Sequence, residues 1–124
     1  MLPYETFERL VVEALDSLPA FFQEKMNNVE VLVEDEPTAD LLAEMGMNSA
    51  TDTLLGLYQG IPLTERYNYN LVMPDTITLY QKPIETMAGG DYGRIREEVQ
   101  QTVIHEIAHH FGIDDDRLLE LGAY

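Results

Sequence analysis

The 124-residue chain contains no cysteine. That absence excludes disulfides, thiolate metal sites and cysteine nucleophiles together, and it points to a reducing compartment. Any metal must be held by His, Asp or Glu. Basic residues are scarce, 7 Lys and Arg against 23 Asp and Glu, and the formal net charge is -16. Such a charge repels phosphate backbones and anionic headgroups, so neither nucleic acid nor a membrane is expected as a partner. No apolar run approaches the roughly 18 residues of a membrane helix, and the opening MLPYETFERL lacks a basic segment followed by an apolar one. A soluble, cytoplasmic protein is the expectation. Repeats, low-complexity tracts and linkers are missing as well. Residues 1–124 are therefore expected to form one domain, of a size that buries about two thirds of its unfolded surface.

Hydrophobic periodicity divides the chain into helical and extended segments. Phe7, Leu10, Val11, Ala14, Leu15 and Leu18 recur at spacings of three and four, which predicts an amphipathic helix stopped near Pro19. VEVLVED at 29–35 alternates apolar and acidic residues, as a strand with one buried face does. Asp40 to Met45 suit a short helical turn closed by Gly46. TLLGLYQG at 53–60 and TITLYQK at 76–82 read as two more strands, and the polar, proline-broken PLTERYNYNLVMPD between them reads as a loop. After Gly89-Gly90-Asp91 a helix is expected from about Gly93 to Phe111, ended by Gly112, with a short acidic-started helix to follow. The sum is an α+β layer sandwich: a small sheet packed on an N-terminal helix and a long helix.

The long helix ends in HEIAHHFGIDDD, His105 to Asp116, which holds all three histidines of the chain. His105 and His109 lie four apart, about 40° around the helix axis, so both imidazoles can address one ion from adjacent turns. His110 is about 140° from His105 and is a poor candidate for the same ion. Ile95, Val99, Val103, Ile104, Ile107, Ala108 and Phe111 fill most of the remaining circumference, leaving the histidine pair on a narrow polar strip. Glu106 completes H-E-x-x-H, the pattern in which two histidines hold zinc while the glutamate takes a proton from the metal's water. The bland alternative is that histidines near a helix C-terminus merely suit its dipole, but that explains neither the spacing nor the glutamate.

Catalytic zinc usually takes three protein ligands. Continuing the pattern gives H-E-x-x-H-x-x-G-x-x-D, with Gly112 able to turn the chain sharply and Asp115 as the candidate third ligand. Asp114, Asp115 and Asp116 also suit the cap of the next helix, and spacing alone leaves both roles open.

With its glycine spacing, this motif resembles that of the zincin metallopeptidases, and of the metzincin branch in particular, with aspartate where a third histidine is common. The whole chain is similar to a family of very short bacterial zincin-like metallopeptidases. The stretches that carry the likeness are GLYQGIPLTER at 56–66, PDTITLYQKPIE at 74–85 and REEVQQTVIHEIAHHFGIDDDRL at 96–118. The resemblance implies zinc held by His105, His109 and Asp115, with Glu106 as general base. It also implies a mixed sheet whose edge strand, taken to be TITLYQK, lies above the active-site helix and binds an extended peptide or unfolded segment. Two features depart from the metzincins: no methionine follows Asp115, and no length remains for a C-terminal subdomain.

The expected reaction is metal-assisted peptide hydrolysis, which needs neither a serine nor a cysteine nucleophile. A tetrahedral oxyanion wants a further donor, for which Tyr80, Tyr92, Tyr67, Tyr69 and His110 are the available groups; packing is the commoner role of such tyrosines. Scattered Met45, Met47, Met73 and Met87 are assigned to gap filling, and Arg66, Arg94 and Arg96 to charge balance. The competing reading is a metal-binding or pseudoenzyme module that recognises an extended segment without cutting it. A purely structural domain without metal is the third.

Overall fold

A computed structural model of the chain describes residues 1–48, 52–60 and 74–120, with the Asp115 side chain set aside. The loop expected at 62–75 therefore falls largely outside the described residues, as do Arg66, Tyr67, Tyr69 and Met73.

Pro3 and Pro19 bracket the first helix. α1 (Tyr4–Asp16) starts directly after Pro3 and buries Phe7, Leu10, Val11 and Ala14, the stripe expected from their spacing. Pro19 then caps α2 (Ala20–Lys25), and a single 3-10 turn over Met26–Asn28 leads into β1 (Val29–Glu34). Thr38 caps α3 (Ala39–Glu44) by accepting the Leu41 amide at 3.1 Å, and Gly46 follows with φ +73°. β2 (Gly56–Gln59) is shorter than the extended stretch read from 53–60.

β3 (Asp75–Tyr80) corrects two expectations. It stops at Tyr80, and Gln81 and Lys82 begin a helix, α4 (Gln81–Ala88), instead of ending the strand. Pro83 lies in the first turn, where its missing N–H costs no helical bond, and Ile84 and Ala88 bury one face. Gln81 fixes the switch: its buried amide donates to Leu2 O at 2.9 Å and to Glu85 Oε2 at 2.7 Å. Second, β3 is the central strand. It pairs with β1 in parallel (Val31 beside Ile77) and with β2 antiparallel (Tyr58 beside Ile77), in the order β1-β3-β2. Ile77 to Tyr80 are all buried, the pattern of a strand covered on both faces, and among the described residues the edges of this mixed sheet are β1 and β2.

α5 (Tyr92–Phe111) begins at Asp91, whose carboxylate accepts the Arg94 amide at 3.1 Å. It packs against α1, α4, β2 and β3. Arg96 meets Glu13 at 3.0 Å, and Gln100 donates to Ala14 O at 2.9 Å, which ties α5 to α1 around the apolar contact. One hydrophobic cluster joins α1, α2, β3, α4, α5 and Leu118 of the last helix, α6 (Asp115–Glu120). The architecture is the α+β layering expected, a small sheet against the N-terminal and long helices.

Candidate active site

The site is built where α5 runs alongside β2. Val99, Val103 and Ile107 face the core, while Thr102, Glu106 and His110, one turn apart, face the strand. Gly56 permits the approach: a Cβ there would lie 2.7 Å from Thr102 Cγ2 and 3.0 Å from Thr78 O. One turn further, the Tyr58 amide donates to Glu106 Oε1 at 3.0 Å. At the next, the Tyr58 ring stacks on His110, centroids 4.0 Å apart and planes at 22°. Two strand residues advance roughly 6.7 Å and one helical turn 5.4 Å, so strand and helix stay nearly in step over this short length.

Glu106 is half-buried on this face. Burial raises its pKa, while the Tyr58 amide and the fields of His109 and His105 act in the lowering direction. A carboxyl held partly out of water in a cleft suits a general base. His105 borders two hollows. One, of about 440 Å³, has Glu106, Leu54, Leu55 and Gly56 in its wall. The other, of about 200 Å³, is shared with His109, Ala108, Ile113 and Leu118. His105 and His109 therefore border one depression, on the exposed strip expected from their spacing.

The helix ends as the glycine requires. Gly112 has φ +67°, its amide bonds His109 O at 3.4 Å, and the Ile113 amide bonds Ala108 O at 2.8 Å, a Schellman closure. The turn swings Ile113 and Leu118 into the wall of the histidine depression, with the Asp115 backbone between them at the first turn of α6. The Asp115 side chain lies outside what is described. Asp114 is the cap of that helix, its Oδ1 accepting the Arg117 amide at 2.8 Å. Among the described residues no three His, Asp or Glu side chains form a group able to hold a metal. Two histidines bordering a common depression are donors of the kind a borderline-soft cation such as zinc takes.

Two further expectations are settled by position. Tyr80 is 2% exposed in the core, and Tyr92 sits at the opposite end of α5 from His105, about 20 Å along the axis. Phe111, expected to help cover the helix, is 45% exposed, with Lys25 Nζ 4.8 Å from its ring. Sequence reasoning missed Tyr58 and Asp75, which bond to each other through the Tyr58 hydroxyl and Asp75 Oδ2 at 2.8 Å. Tyr58 carried no signal beyond an ordinary strand position.

No described helix is long and apolar enough to cross a membrane. A conserved hypothetical protein from Thermo thermophilus has a similar solved structure, with a TM-score of 0.54 and 26% identity over 89% of this chain and 94% of that one. No curated protein matches. The family described as zincin-like metallopeptidase matches residues 26–123, and with that match the chain belongs to the zincin-like metallopeptidases.

Proposed function

We propose that the protein is a zinc-dependent peptidase in which His105 and His109, with Asp115 as third donor, hold the metal and Glu106 is the general base. The observation that carries this reading is the placement of the half-buried Glu106 carboxyl in the same hollow as His105, between α5 and the edge strand β2. Zinc, when bound, supplies the Lewis acid that acidifies water and polarises the scissile carbonyl. Glu106 takes the proton from the attacking water and passes it to the leaving nitrogen. β2, an edge strand beside the hollow, offers backbone groups along which an extended peptide or unfolded segment can lie. This transfers to β2 the role first assigned to TITLYQK.

Metal analysis tests the ligand set. His105→Ala and His109→Ala are each expected to abolish stoichiometric zinc after dialysis, and Asp115→Ala to weaken zinc by roughly ten- to a hundredfold or more. Asp114→Ala is expected to cost only helix-cap stability, about 1 kcal/mol. Equal zinc content in the wild type and both histidine variants would contradict the reading. Loss of zinc in Asp114→Ala with retention in Asp115→Ala would move the third ligand.

A further inference from the structure

Among the described residues, Tyr58 is tied down through its amide, its hydroxyl and its ring. Its amide donates to Glu106 Oε1 at 3.0 Å, its hydroxyl donates to Asp75 Oδ2 at 2.8 Å, and its ring stacks on His110 at 4.0 Å. Phe111 meets the Tyr58 and His110 rings edge-on, at 6.3 Å and 4.9 Å. Gly60 closes the cluster: a Cβ there would lie 3.5 Å from His110 Cε1 and 3.7 Å from Asp75 Oδ1, so strand end, imidazole and carboxylate converge. None of these contacts is needed to hold a metal, and His110 points away from the His105 strip.

Their geometry bears on Glu106. A glutamate on a helix samples several rotamers, whereas a general base works from one. The group that selects a rotamer here is a backbone amide on a strand of four residues, an element too short to be rigid through its own ladder. The Tyr58 ring makes up that deficit. It is anchored to the first residue of β3 at its hydroxyl end and to α5 across its face, and the ring shares a Cα with the amide. Because His110 lies one turn beyond Glu106, the stack is made to the same rigid helix that carries the carboxyl.

We propose that Tyr58, clamped by Asp75 and His110, is the positioning element for Glu106, and that His110 belongs to this clamp and not to the metal site. The proposal rests on Glu106 being the base of the peptidase described above. Tyr58 acts through its backbone amide, and its side chain is the handle that aims it. Asp75 and His110 act through Tyr58.

Amide hydrogen exchange by NMR on the full chain, metal-free and zinc-loaded, reads the clamp directly, with peptide kinetics beside it. In the wild type the residue 58 amide should be protected, and Glu106→Ala should remove that protection. Tyr58→Phe and His110→Ala should each speed its exchange by roughly five- to tenfold, the fold-change of one ordinary hydrogen bond, with the Ile104 and Ile107 amides of α5 unmoved. His110→Phe, which keeps a ring for the stack, should restore most of it. In cleavage assays kcat should fall in the first two variants with KM unchanged. A residue 58 amide that exchanges alike in wild type, Tyr58→Phe and His110→Ala overturns the clamp, and so does a loss of protection shared equally by α5. A zinc-loaded wild type that cleaves no peptide overturns the base role and the proposal with it. The two failures are distinguishable, since the exchange pattern requires no turnover.

Discussion

Burial holds the Glu106 carboxyl above its ordinary value of 4.5, while the Tyr58 amide and the imidazoles of His109 and His105 draw it back. The native state then keeps this proton to higher pH than the unfolded chain does. The stability contributed by the protonated form is complete below 4.5 and is lost as pH rises through the raised native value. Glu106→Gln, a neutral isostere whose amide oxygen can still accept from Tyr58, escapes that loss. In chelator, Glu106→Gln is expected to match the wild type near pH 4 and to be the more stable of the two at pH 7, by a margin kept small because the site is partly solvated. Thermal unfolding from pH 4 to 8 checks this, and a wild type that gains on the variant as pH rises would contradict it. At this scale the sequence showed what is local. The His105–His109 spacing and Glu106 are legible because a helix fixes them within two turns. The bond from Tyr58 to Glu106 spans 48 positions and is invisible to any periodicity.

At the scale of elements, the contact of β2 with α5 depends on Gly56. A methyl group there meets Thr102 Cγ2 at 2.7 Å and the Thr78 carbonyl at 3.0 Å, so either strand or helix must shift. Gly56→Ala is expected to destabilise the fold by about 1–3 kcal/mol and to loosen Glu106 along with β2. Thr102→Ser removes Cγ2 but keeps the hydroxyl, which donates to Glu98 O at 2.7 Å, and should recover part of the loss in the double variant. Denaturant unfolding of the cycle measures this; strictly additive effects would mean the two side chains do not meet. The helices α1 and α5 were readable from their stripes and from Pro19 and Gly112. The end of β3 was not, because Gln81 and Lys82 look like any polar strand exit, and what commits them to a helix is the distant pairing of Gln81 with Leu2. Strand order was equally unreadable, since TITLYQK alternates as an edge strand does while its burial comes from elements on both sides.

For the whole molecule, the net charge of -16 acts on every approaching substrate. Long-range attraction favours basic peptides, and it is screened beyond about 8 Å at physiological ionic strength. Basic peptides are expected to be cleaved several-fold faster than acidic ones of matched length in low salt, with the ratio approaching one by about 0.5 M salt. Competition kinetics on a paired peptide set measure that ratio; a preference for acidic peptides in low salt would contradict it. The same charge carries the expectation, from composition alone, that neither nucleic acid nor a lipid surface is a partner, whereas a substrate's sequence is a matter of hollows that no composition shows. In the proposed mechanism, hydrolysis turns on one proton transfer through Glu106. The most direct measurement is zinc content and peptide-library cleavage for the wild type and Glu106→Gln side by side. The expected result is one zinc per chain in both proteins, with hydrolysis by the variant slower than by the wild type by at least about a hundredfold. Equal cleavage by the two, or no cleavage by the zinc-loaded wild type, would contradict it.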